Sequence, residues 1–169
     1  MQTIFSFVGI ALFIIAAYSD VKSFRIPNLL VAAVAWLGTT RLIVVGDPSA
    51  AVYTVGASVI VLAIGFVLFW RGFVGGGDAK LLTASALLIG YHDLYSFLVF
   101  MSICGALIAL AAFATQRQKP STKLYIPYGV AIATAGSVTL FFQSPLVAAL
   151  HPFAVTLLLQ SPLATPFIG

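Results

Sequence analysis

Long apolar runs separated by short polar breaks make up nearly the whole chain. A membrane-spanning helix needs about 20 predominantly apolar residues, and the first run, Met1 to Ser19, nearly meets that length without a charge. A second run from Pro27 to Val45 is interrupted only by Arg41, and a third from Ala51 to Trp70 is uncharged. A fourth, Ala79 to Gly90, is short and carries Lys80 near its start; the fifth and sixth run from Leu94 to Thr115 and from Tyr125 to Phe142. The pattern predicts an all-α polytopic membrane bundle of about six transmembrane helices joined by short loops. Residues 1–142 are expected to form one domain. The first run is not read as a cleaved signal, because it lacks a positively charged start and further spans follow it. Beyond Gln143 the apolar pattern is broken by Pro145, Pro152, Pro162 and Pro166. Residues 143–169 are therefore expected to lie at the membrane interface. A further span over 146–160 is the alternative, which Pro152 would interrupt.

Composition makes the membrane reading firm. Of 169 residues, 62% are hydrophobic and 7% charged, and the mean hydropathy is +1.14. A soluble enzyme surface cannot be built from so few charges. The formal net charge of +4 does not point to nucleic acid, since the basic residues sit singly or in small groups between apolar runs rather than in a basic face with aromatics. They serve better as orienting charges, because Lys and Arg concentrate in short cytoplasmic loops. Lys22 and Arg25 fall in the first loop, Arg71 and Lys80 flank the third, and Arg117, Lys119 and Lys123 fill the fifth; only Arg41 lies on the other side. The amino terminus is thus expected outside and the odd-numbered loops in the cytoplasm. Cys104 is the sole cysteine, which excludes an internal disulfide or a cysteine-based zinc site.

All four acidic residues are aspartates, and topology sorts them. Asp47 and Asp93 fall in the predicted outer loops, where a turn residue is the ordinary explanation, with Asp47-Pro48 a turn signal. His92 beside Asp93, and His151, receive the same ordinary reading. Asp20 and Asp78 differ: both sit where an apolar helix meets a predicted cytoplasmic loop, at one membrane depth. A carboxylate in hydrocarbon costs about 2.5–3.5 kcal/mol at the centre of a span and less near the interface, so two of them at one level call for an explanation. Asp78 alone could cap a helix, and Asp20 alone could pair with Lys22 or Arg25. Neither account explains Gly75-Gly76-Gly77, which removes three side chains in succession and lets another backbone approach.

Paired carboxylates suit amide hydrolysis. Water attacks an amide poorly unless one carboxylate takes its proton while a second, protonated carboxyl polarises the carbonyl and assists the leaving amine. Two carboxyls in one site do not both ionise easily, which separates the roles. Helix polarity predicts an ionised Asp78 at a helix start and a protonated Asp20 at a helix end, although such a pair titrates as a unit. The glycine run is not a phosphate loop, because Asp78 stands where GxxxxGK requires lysine. A dinucleotide fingerprint would need glycine at Lys80 and a βαβ setting.

Asp20-Val21-Lys22-Ser23-Phe24-Arg25-Ile26-Pro27-Asn28 resembles the first active-site segment of the type IV prepilin peptidases, and Gly75-Gly76-Gly77-Asp78-Ala79-Lys80 resembles their GxGD segment. Tyr125-Ile126-Pro127-Tyr128-Gly129 is similar to their later Pro-Tyr-Gly segment, so the resemblance covers about residues 1–142. It implies an aspartic endopeptidase of the bacterial cytoplasmic (inner) membrane that removes the basic leader of a single-span prepilin at the cytoplasmic face. Catalysis would fall to Asp20 and Asp78, with Gly75 and Gly77 shaping the site and Lys22, Arg25, Asn28, Lys80, Pro127, Tyr128 and Gly129 in support. No metal or other cofactor is implied. Larger members of the family carry a cysteine-containing cytoplasmic insertion and N-methylate the new terminus. This sequence shows no such insertion, so the short form, as in tight-adherence (Flp-type) pilus systems, without methyltransferase activity, is expected.

Three other readings use the same residues: a small transporter or channel component binding cations or protons at Asp20 and Asp78, a presenilin-like peptidase of other membrane substrates, and a noncatalytic assembly factor. Transport favours carboxylates near the middle of a span, whereas both aspartates are expected at one interface.

Overall fold

In a bilayer no water satisfies backbone N–H and C=O groups, so an apolar run must close its hydrogen bonds within itself as a helix. The computed structural model, which describes residues 2–23, 25–116 and 128–144, has six helices and no strand among them. They are α1 (Gln2–Ser23), α2 (Asn28–Val45), α3 (Pro48–Trp70), α4 (Gly76–Ile89), α5 (Leu94–Gln116) and α6 (Tyr128–Gln143). The all-α bundle matches the expectation from sequence. Arg117, Lys119, Lys123, Tyr125 to Pro127, His151 and the rest of the segment after Ser144 lie outside the described residues.

Four helices, α1, α2, α3 and the Leu94–Phe113 part of α5, are long and apolar enough to cross a membrane. Their outward faces carry large apolar side chains, among them Trp36, Ile60, Phe66, Trp70 and Leu107, an exposure that lipid and not water accommodates. The chain is a multi-pass membrane protein. The other two helices are shorter. α4 has 14 residues and α6 has 16, so at about 1.5 Å per residue neither reaches the roughly 30 Å of a hydrocarbon core. They are instead the inner helices. α4 buries Leu81, Ala84, Ser85, Ala86, Leu88 and Ile89 against α3, α2 and α6, while α6 packs on α1 and α5.

Helices pack closely in lipid through small residues. A Cβ at Gly38 would lie 2.9 Å from the backbone nitrogen of Leu88 and 3.0 Å from its Cα, so α2 meets the α4 backbone directly. Gly56 has nothing within 4 Å of such a Cβ. Gly38→Ala is therefore expected to cost about 1–3 kcal/mol through overpacking. Gly56→Ala is expected to be neutral or slightly stabilising through helix propensity. Thermal unfolding in detergent separates the two.

One end of the bundle is tied together by polar contacts. Arg41 Nη1 donates to the carbonyls of Leu88 and, at 2.9 Å, Ile89. Gln143 Nε2 donates to Ile89 O at 3.0 Å and to Asp93 at 2.6 Å. The end of α4 has carbonyls without intrahelical partners and the negative end of its dipole, and Arg41 satisfies both. This explains why Arg41 departs from the loop distribution of the other basic residues. Asp47 caps α3, accepting from Ser49 N at 2.9 Å and Ala50 N at 3.2 Å, with Pro48 in the first turn. The Ser49 hydroxyl and the Ala50 amide hold the Asp47 carboxyl below its ordinary value of 3.8. The cap thus contributes stability above about pH 4 that disappears as pH falls through the lower, folded-state pKa. Asp47→Ala is expected to lower the melting temperature near neutrality, with the gap to the parent closing as pH falls below 4.

Candidate active site

The opposite end gathers the starts of α2, α4 and α6 around the end of α1. α1 runs to Ser23, past the predicted boundary, so Asp20 occupies its last turn and is 3% exposed. Its carboxylate accepts from the amide of Val130 at 3.2 Å and lies against Gly129. These belong to the first turn of α6, whose leading N–H groups have no intrahelical acceptor. Asp20 thereby caps a helix distant in sequence. Gly129 is obligatory for this contact, since a Cβ there would lie 2.7 Å from Asp20 Oδ2 and 2.9 Å from Ile26 Cδ1.

Asp78 lies in the first turn of α4, three residues after its N-cap, Gly75. It is not itself the cap. Its carboxylate turns back toward Gly75, the arrangement of the return half of a capping box. A Cβ at Gly75 would lie 2.8 Å from Asp78 Oδ2, so this glycine keeps the reach open. Gly77 serves the approach of another segment: its Cβ position is 3.5 Å from Ile26 Cβ and 3.7 Å from Ile26 N. Ile26, buried in the core, fills the space between Gly77 of α4 and Gly129 of α6. The carboxylates of Asp20 and Asp78 are close enough for their charges to act on one another.

Both carboxylates thus face the N-terminus of a helix, Asp78 its own and Asp20 that of α6. The asymmetry expected from helix polarity in the sequence, with Asp20 at a negative pole, loses its basis. α6 brings an opposite pole that sequence position did not reveal.

The other candidates divide. Lys80 Nζ donates to Asn28 Oδ1 at 3.4 Å, tying the start of α4 to the start of α2. The Arg25 carbonyl accepts from Ser19 Oγ at 3.0 Å and Ser23 Oγ at 3.3 Å, which fixes the turn between α1 and α2, while its side chain is exposed. Lys22 Nζ sits 5.7 Å above the ring of Tyr18 on the same helix. Tyr128 lines a cleft with Asp78, and Pro127 lies outside the described residues. Ile26 and the Val130 amide were missed by sequence reasoning. Ile26 lies within the Asp20–Asn28 segment, yet an isoleucine carries no chemical signal of its own.

Residues 7–110, more than half of the chain and including both aspartates, match the model of the type IV leader peptidase family. The chain is 35% identical over 133 residues to a prepilin leader peptidase/N-methyltransferase of Bacillus subtilis, covering 78% of this chain and 52% of that protein. It is 31% identical over 100 residues to a protein of the same description from Burkholderia pseudomallei, covering 53% of this chain and 32% of the relative. With the prepilin peptidase EppA of Methanothermobacter thermautotrophicus it shares 33% identity over 99 residues, 54% of this chain and 26% of that one. The chain thus spans about half the length of the Bacillus relative and a third or less of the other two. No solved structure matches. On the extent of the family match, the chain belongs to the type IV leader peptidase family.

Proposed function

We propose that this protein is a membrane-embedded aspartic endopeptidase that removes the leader peptide of a prepilin, with Asp20 and Asp78 as its catalytic pair. The observation that carries the reading is two carboxylates, from α1 and α4, near enough for their charges to interact at one end of a multi-pass bundle, with Arg41 and Gln143 at the other. One carboxylate takes a proton from water as its oxygen bonds to the scissile carbonyl carbon. The other, protonated, donates its proton to the carbonyl oxygen; as the C–N bond breaks, the first carboxyl passes the proton taken from water to the leaving nitrogen, and the second recovers a proton from a diol oxygen as the product carboxyl forms. The Val130 amide of α6 that holds Asp20 fixes its orientation throughout, and Asp78 faces the cleft from which a substrate would come.

The aspartate end is assigned to the cytoplasmic face of a bacterial inner membrane, on the strength of Lys22, Arg25, Arg71 and Lys80 gathered there. Paired carboxylates serve hydrolysis and not methyl transfer, so leader removal alone is proposed for these residues, with an Flp-type prepilin as the preferred substrate. Transport is disfavoured by the location of both carboxylates at one end.

Co-expression with a candidate prepilin tests the reading: wild-type protein is expected to shift the pilin to its shorter form on a gel. Proton or cation flux in proteoliposomes with no cleavage would favour transport instead. Because the Lys80–Asn28 contact is a single exposed hydrogen bond, worth about 1 kcal/mol, Lys80→Gln and Asn28→Ala are expected to slow cleavage by no more than about tenfold.

A further inference from the structure

Among the described residues, α5 packs along α6 and only grazes α4. The space left between them is a cleft of about 340 Å³. Leu68 of α3 and Leu82 of α4 form one wall, and Gly105, Ala106 and Ala109 of α5 form the other, with Asp78 at the end where α4 begins. No Lys, Arg or His lines it. The three small residues of α5 give the cleft its width, since a leucine at any of them would occupy much of it.

We propose that this cleft receives the apolar residues immediately following the cleavage site of a single-span substrate, and that Gly105, Ala106 and Ala109 set the size of side chain accepted. The inference rests on the peptidase reading and adds to it where the substrate lies. A chain cut at Asp78 must pass this carboxylate, and on its two sides the substrate differs: a polar leader and an apolar membrane segment. The apolar lining of the cleft suits only the second. Its α5 lining residues run from Ala109 to Met101, about 12 Å along the helix, and α5 begins at Leu94, beside the Asp93–Gln143 contact at the opposite end from Asp78. A substrate segment entering from lipid would therefore lie beside α5 with its first residue nearest Asp78. The peptide bond to be cut must leave the helical hydrogen-bond pattern, because a helical carbonyl is already engaged by the amide four residues on.

The test measures initial cleavage rates against prepilin concentration for wild type, Ala106→Trp, Ala109→Leu and the control Leu107→Trp. Leu107 is 62% exposed and does not line the cleft. Filling the cleft is expected to raise KM by about tenfold or more, with a smaller change in kcat, while Leu107→Trp behaves as wild type. A prepilin whose large apolar residues just after the cut are trimmed to alanine is expected to restore cleavage by Ala109→Leu. Unchanged KM in both filled variants would overturn the inference and leave the peptidase reading standing. Loss of cleavage with no recovery on the trimmed prepilin would also overturn it, since the defect would then not be one of fit. If wild type itself cleaves no prepilin, the peptidase reading falls and this inference with it.

Discussion

Asp20→Asn and Asp78→Asn are each expected to leave a co-expressed prepilin at full length while the variant protein accumulates in the membrane as the parent does. An amide has nearly the shape of the carboxylate but neither takes a proton from water nor donates one to a leaving nitrogen at neutral pH. Loss of one general acid–base group costs about 100- to 10,000-fold, and a pair acting as one unit is expected to lie at the upper end. For the same reason the double variant should be scarcely worse than either single one, because residues that work together are strongly non-additive. Single-turnover cleavage of purified protein in detergent measures all three rates. Full processing by either single variant would remove the paired mechanism.

The second large effect is expected at Gly129, a residue with no chemistry of its own. The Cβ of Gly129→Ala would lie 2.7 Å from Asp20 Oδ2 and 2.8 Å from its Cγ, distances that no real contact sustains. The carboxylate must then leave the Val130 amide, and a misplacement of about 1 Å at a reacting group costs on the order of 100-fold in rate. Gly77→Ala is the informative contrast. Its Cβ would meet Ile26 at 3.5 Å, an ordinary van der Waals contact, so cleavage is expected to stay within a few-fold of wild type, roughly the effect of less than 1 kcal/mol. Rates for the two variants, with melting temperatures to confirm folding, decide whether Gly129 positions Asp20.

These Cβ distances weigh the glycines differently from the sequence, in which Gly75 and Gly77 shape the site and Gly129 only supports it. Gly75 keeps its place, because it borders Asp78 on the same helix and the relation is local. Gly77 and Gly129 depend on which helices pack together. Sequence spacing carries no record of α1 lying against α6, so it could not show that Gly129 faces Asp20 or that Ile26 fills the space between two glycines. The sequence puts Arg41 on the side away from the other basic residues, but the reason for its position is the open carbonyls of α4, a helix it meets only in the folded bundle. The cleft beside α5 left no trace in the hydropathy pattern, since a helix apolar all round reads alike whether lipid or a protein neighbour covers it.

By itself the sequence determined the class of the molecule and its helices, and it singled out the two aspartates proposed as the catalytic pair. Each of these follows from a local cost: an apolar run in lipid must be helical, and a carboxylate at the membrane face must have a reason to be there. Tertiary structure alone decided that α4 and α6 lie inside the bundle, that Asp20 caps α6, and that Asp78 borders a cleft against α5. Those relations join residues far apart in the chain, and only close packing of small side chains brings them within reach of one another.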